Sequence, residues 1–243
     1  MTEGRIVLGV GLGYREVEFD HFGRKLRHRP SLMEEGVEII RRAWTGEPIH
    51  FHGKRHRVDG VRVTPTPSQP PRLLMGGMSE PAIRRAARLA DGFLSTGGIG
   101  HDLYVAEVAK LRGGTTDAGE SSPAPRIFAG HWAIIAEDPE AELARIGPHV
   151  LYQVNEYVRW GAFGPPAETH PFPDPATAVR EGLYELWDAA TAVRALTDLL
   201  LADPSIQDLH FWAQFPGESI ASGDTRIHYI AQHVLPAVRR AIA

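Results

Sequence analysis

Gly76-Gly77-Met78-Ser79 is the stretch of this chain whose residue types and spacing best suit the holding of an anion. It stands between the apolar run Leu73-Leu74-Met75 and the segment Glu80 to Gly92. Ser79 is an N-cap residue type, Glu80 puts negative charge in the first helical turn, and Pro81 stands where a missing N–H costs nothing. Two glycines ahead of a helix start leave backbone N–H groups unshielded by any Cβ, and such groups, with the helix dipole, suit a phosphate. The same residues also spell an ordinary βα loop with a capped helix. Both readings stay open on local grounds.

Other combinations of reactive residues lead less far. The run Gly9-Val10-Gly11-Leu12-Gly13 invites a dinucleotide-binding reading, but the fingerprint needs glycine at position 14, where Tyr14 stands. His50, His52 and His56 fall on a polar alternating stretch with no carboxylate pair nearby and read as exposed side chains rather than metal ligands. Asp20-His21 and His101-Asp102 are adjacent pairs that point different ways. The chain has no cysteine, which excludes disulfides, thiolate catalysis and Cys-zinc sites. With no carboxylate pair, nucleophile triad or metal cluster to choose, the catalytic residues stay unassigned.

The elements that must position the glycines follow from periodicity. Ile83, Ala86, Ala87 and Ala90 form one apolar face of a helix, with Arg84, Arg85 and Arg88 opposite. Arg5 to Gly13 reads as a strand buried on both faces, ending in glycines. Helices are predicted over 30–44, 102–112, 140–146, 149–161, 191–202 and 225–242, the last with Ile227, Ile230, Ala231, Val234 and Leu235 inward. Residues 49–58 predict a hairpin around Gly53, and 92–97, 126–136 and 208–214 predict strands. Residues 113–125 predict a loop. Residues 162–188 combine Pro165, Pro166, Pro171, Pro173 and Pro175 with Phe163, Phe172, Tyr184 and Trp187, which marks an aromatic insertion of the kind that serves as a packing or substrate-side lid. Strand and helix alternate, so the fold class is α/β with a parallel sheet and crossover helices; about five core strands do not close an eight-stranded barrel.

Bulk properties bound the function. The chain has 243 residues, enough for one large α/β domain, and its 43% apolar and 23% charged content is that of a globular protein. The formal net charge of -4 and the arginines scattered at helical spacing, which read as solvated faces, argue against nucleic acid as a partner. No apolar stretch approaches the length of a membrane span, so no membrane partner and a cytoplasmic location are expected.

Taken in order, Gly4 to Tyr14, Glu18-Phe19, Gly23, Trp44-Thr45-Gly46, Pro65-x-Pro67-x-Gln69-Pro70-Pro71, Gly76-Gly77-x-Ser79, Arg85-Ala86-Ala87, Asp91-Gly92-Phe93, Pro216-Gly217 and Val234-Leu235-Pro236 resemble the bacterial luciferase-like family of flavin-dependent monooxygenases and deazaflavin-dependent oxidoreductases. The resemblance runs along essentially the whole chain. It implies a partial (β/α)8 TIM barrel, from about strand 4 to strand 8, with 148–188 as a helical and aromatic insertion in one domain spanning 1–243. On that reading Met1 is an internal methionine.

Ligands of such barrels bind at the carboxyl ends of the strands, which here are Gly11 to Tyr14, Gly76 to Ser79, Ser95 to Gly98, Glu137-Asp138 and Gln214 to Gly217. The resemblance therefore implies a flavin mononucleotide (FMN) or deazaflavin coenzyme held by Gly76, Gly77, Met78, Ser79, Gly11, Gly13, Tyr14, Ser95 and Thr96, with no metal. It implies either oxygenation of a small organic substrate, with reduced flavin supplied by a separate reductase, or oxygen-free hydride transfer from the deazaflavin, and a homodimer. The other reading is a non-catalytic remnant that binds flavin weakly or dimerises through open edges; a further one is a sugar-phosphate or nucleotide-binding α/β protein sharing only the anion-holding turn.

Overall fold

A computed structural model describes residues 5–97, 99–113 and 125–243. Gly4, Gly98 and most of the loop expected over 113–125 lie outside the described residues. The chain falls into two compact units, Met1–Ser95 with Ile99–Phe128, and Thr96–Gly98 with Ala129–Ala243.

In the first unit, β1 (Val7–Val10), β4 (Arg72–Gly76) and β5 (Gly92–Thr96) lie side by side and parallel. Around them come α1 (Glu16–His21), α2 (Arg29–Thr45), α3 (Glu80–Leu89) and α4 (His101–Gly113), and the hairpin of β2 (Ile49–His52) and β3 (Arg57–Val61). Strand β4 is the buried centre, with Leu73, Leu74 and Met75 all under 5% exposed. Strand β1 is not buried on both faces as its composition suggests. Among the described residues it stands at one end of the strand order with β4 as its single neighbour, and Ile6 and Val7 are exposed.

Asp91-Gly92 shows why the turn between α3 and β5 takes these residues. Asp91 accepts the Leu73 N–H on Oδ2 and returns its own N–H to Leu73 O, both at 2.8 Å, tying the start of β5 to β4. Arg41 of α2 then donates to Asp91 Oδ1 at 2.9 Å and to Leu89 O at 3.0 Å. The arginines of α3 are not merely solvated: Arg85 and Arg88 pair with Glu34, and Arg84 with Glu80 and Glu107, which joins α3 to α2 and α4.

The second unit holds the end of β6 (Ile127–His131), β7 (Ala133–Ile135), α5 (Pro139–Arg159), α6 (Pro175–Arg180), β8 (Glu185–Trp187), α7 (Ala189–Ala202), β9 (Ile206–Phe211), α8 (Ile220–Tyr229), a π-helical stretch (Ile230–Val234) and α9 (Leu235–Ala241). The single strand expected over 126–136 is two, broken at Trp132: β6 neighbours β9, while β7 forms a separate parallel pair with β8. Among the described residues the strand order runs β1, β4, β5, β6, β9 without closing, as expected of a partial (β/α)8 arrangement.

Two helices expected over 140–161 are one continuous α5, with Pro148 inside it. An interior proline costs a hydrogen bond, but the buried stripe Leu143, Ile146, Val150, Val154 and Val158 runs through it and holds both halves on one core. The C-terminal helix departs from its expected face. Gly223, Arg226, Val234 and Val238 turn inward, while Ile227 and Leu235 are exposed. The π-helical stretch adds residues to a turn and shifts the face, and Arg226 is drawn in by the carboxylates of Glu218 and Glu142.

Candidate functional site

The glycine turn and the neighbouring strand ends come together because β1, β4 and β5 are parallel and in step. Val10 lies opposite Met75, and Gly76 opposite Leu94. Gly11 to Tyr14, Gly76 to Ser79 and Ser95 therefore leave their strands along one carboxyl edge of the first unit.

At that edge Ser79 occupies the N-cap position of α3, with extended backbone and Pro81 in the first turn. Its hydroxyl makes no capping bond. The first intrahelical donors are Ala82 and Ile83, both to Ser79 O, at 2.9 and 3.0 Å. The N–H groups of Met78, Ser79 and Glu80 come before them and have no carbonyl of the helix to reach. Gly76 and Gly77 are half-buried, whereas Met78 and Ser79 are exposed. A Cβ on Gly77 would stand 2.5 Å from Ala82 Cβ, so this close approach of the turn to the helix is possible for glycine alone. The arrangement presents amides and the positive end of a ten-residue helix to solvent. These residues fit a phosphate group.

The remaining candidates of this edge differ in character. Gly13 O accepts a hydrogen bond from Arg29 Nη1 at 2.9 Å, and Tyr14 is half-buried. Ser95 is buried and its hydroxyl is hydrogen-bonded to His101 Nε2 at 2.7 Å, a pairing between a strand end and the next helix start that residue adjacency does not signal. Thr96, half-buried, and Gly97 follow in the second unit. Away from this edge, His50 is tied to Asp59 at 2.6 Å across the β2–β3 hairpin, and no His, Cys, Asp and Glu group among the described residues is arranged to hold a metal.

In the second unit, the carboxyl ends of β6 and β9 lead into aromatic residues. Trp132 follows β6 and Trp212 follows β9; their rings are 6.0 Å apart and edge-on. Tyr157 of α5 lies 6.0 Å from Trp212, and Phe163 lies 5.9 Å from Trp132. Burial pushes the Tyr157 and Tyr184 hydroxyls up from the usual phenol range, the former partly offset by a hydrogen bond with Gln153. Asp138, expected at a ligand-facing end, accepts the Ala141 N–H as the N-cap of α5.

The turn after β9 is held from beneath. Glu218 is buried and accepts from Arg226, from the Ser222 hydroxyl and from the Phe215 N–H. Arg226 also donates to Ala213 O at 2.7 Å and to Glu142 at 2.5 Å. Burial pushes the Glu218 carboxyl up, but the Arg226, Ser222 and Phe215 donors outweigh it and hold the pKa at about 2. Residue type alone points to neither charge. An arginine eight residues after a glutamate carries no signal until the chain is folded.

The chain matches the family described as luciferase-like monooxygenase over residues 1–203. An F420-dependent glucose-6-phosphate dehydrogenase of Nakamurella multipartita is 36% identical over 122 residues, covering 49% of this chain and 36% of that protein. A monooxygenase of Streptomyces bottropensis has a similar structure, with a TM-score of 0.71 at 20% identity over 97% of this chain and 69% of the other. The oxygenating constituent of 3,6-diketocamphane monooxygenase from Pseudomonas putida, solved with FMN, gives a TM-score of 0.66 at 18% identity, covering 97% and 72%. The matches to curated relatives span less than half of those relatives' length.

Proposed function

The chain belongs to the luciferase-like monooxygenase family, and from that premise we propose that it is an oxidoreductase acting on a small organic substrate with a deazaflavin or flavin coenzyme. The observation that carries the reading is the Gly76 to Ser79 turn: unshielded amides at the start of α3, on a backbone that a Cβ at Gly77 would push away. Residues Met78, Ser79 and Glu80 hold the coenzyme phosphate through their N–H groups. Gly11, Gly13 and Tyr14, at the end of the adjacent strand, would help to hold the coenzyme, and Ser95, braced by His101, fixes the end of β5. When bound, a reduced deazaflavin supplies hydride, and a reduced flavin supplies electrons for oxygen chemistry.

A curated relative at 36% identity is named for F420, which supports the deazaflavin reading over FMN. In this proposal the chain is one luciferase-like domain in which 148–188 is an insertion, active as a homodimer; a flavin-using form would draw on a separate reductase. No described helix is long and apolar enough to cross a membrane.

Titrating the purified chain with F420 and with FMN, read by coenzyme fluorescence, tests the proposal. Saturable binding of F420 that weakens on substitution of Gly77 is expected; no binding of either coenzyme overturns it. One observation favours a second reading, a non-catalytic chain that dimerises: among the described residues β1 is paired on one side only and leaves Ile6 and Val7 exposed. Coenzyme binding without turnover of any substrate would favour that one.

A further inference from the structure

We propose that Trp132, Tyr157, Phe163 and Trp212 form the substrate subsite and that it takes an uncharged ring compound bearing an oxygen function, not a sugar phosphate; this rests on the oxidoreductase reading above. Three observations converge. Both tryptophans directly follow the carboxyl ends of β6 and β9, the end at which barrels of this kind bind their ligands. The four rings meet mostly edge to face at 5.9 to 6.3 Å, and Tyr157, Phe163 and Trp212 keep part of their surface open. Edge-to-face rings offer further flat partners the same geometry.

The second observation is charge. Neither lysine nor arginine occurs from His131 to Ala144, from Trp160 to Val179, or from Trp212 to Thr225, the segments that bring three of these rings to the cluster. Arg226 lies 5.7 Å from the Phe215 ring, but Glu218 and Glu142 hold its guanidinium. These segments therefore offer a phosphate dianion none of the guanidinium or ammonium donors that would recognise it. The third is unused polar capacity. Trp132 Nε1, Tyr184 Oη and Gln153 Oε1 are buried without a hydrogen-bond partner; the Tyr184 ring lies 5.2 Å from Trp132, and Gln153 bonds Tyr157 through its other end. A cluster with two spare donors and a spare acceptor matches a hydroxyl or carbonyl on an otherwise apolar ring.

Isothermal titration calorimetry with 2-naphthol and with glucose 6-phosphate tests this on the whole chain. Wild type should bind 2-naphthol saturably and give no binding heat with glucose 6-phosphate. Trp212→Ala and Phe163→Ala should each weaken 2-naphthol by about tenfold. Phe163 is the more exposed of the two, so its variant gives the reading even where Trp212→Ala fails to fold. Glucose 6-phosphate binding in place of 2-naphthol, no 2-naphthol binding by wild type, or unchanged 2-naphthol affinity in a folded variant overturns the inference. The coenzyme titrations run separately: F420 or FMN bound with 2-naphthol ignored sinks this subsite alone, and 2-naphthol bound with both coenzymes ignored sinks the oxidoreductase reading.

Discussion

Arg226 grips both oxygens of Glu218, at 2.6 Å from Nη2 to Oε2 and 2.7 Å from Nη1 to Oε1, and neither side chain is more than 4% exposed. The pair also holds the turn after β9, because Glu218 accepts the Phe215 N–H and Arg226 donates to Ala213 O. Burying two charges is costly, and removing one leaves the other uncompensated. Glu218→Gln should therefore destabilise the protein by roughly 3–5 kcal/mol in urea denaturation. Replacing both, as Glu218→Leu with Arg226→Met, should recover much of that loss.

The same carboxylate makes stability depend on acid. Its folded pKa of about 2 lies below the ordinary 4.5, so its contribution is complete above pH 4.5 and is lost as pH falls toward 2. Taken alone the shift is worth roughly 3 kcal/mol. Asp174 and Asp188, held below the usual range mainly by the N–H groups of Thr177 and Thr191 that they cap, add in the same direction. Urea midpoints measured from pH 7 down to pH 3 should fall, and Glu218→Gln should flatten that slope.

Gly77→Ala places a methyl 2.5 Å from Ala82 Cβ. Overpacking of this kind costs about 1–3 kcal/mol, and relief must move the start of α3. Affinity for F420 should drop by about tenfold or more, a change of roughly 1.4 kcal/mol, while circular dichroism at 25 °C stays that of the wild type. An F420 titration reads variant and wild type side by side.

Asp91→Ala strips the Leu73 N–H of its Oδ2 acceptor and Arg41 of its carboxylate partner, leaving Arg41 the Leu89 carbonyl. Leu73 is fully buried, and an orphaned buried donor costs about 1–3 kcal/mol. The expected loss lies in that range. Amide hydrogen exchange at Leu73 should quicken in the variant, and unchanged exchange would count against the assigned role.

Much of the α/β order is legible in the residues because each element carries its own period: Ile83, Ala86 and Ala82 bury one face of α3, and Leu73 to Met75 fill β4. What one residue cannot announce is its neighbour across the fold. Val7 has the composition of a central strand, yet with a single neighbour it is exposed. Ile227 looks like core, but Glu218 and Glu142 reward turning Arg226 inward, and the π-helical stretch rephases the helical turns beyond it. Within the site, the glycine turn is visible because glycine, serine and proline carry backbone meaning by type. The pairing of Ser95 with His101 and the meeting of Trp132, Tyr157 and Trp212 are not, since each depends on separate chain segments converging.

The break at Trp132 divides labour along one apolar run. Because the backbone partners of β7 lie in β8, with Glu185 N–H reaching Trp132 O and Ala136 N–H reaching Trp187 O, the intervening stretch is stitched to itself. The same stretch is also tied to the turn after β9, through the α5 core stripe and the Glu142 pairing with Arg226.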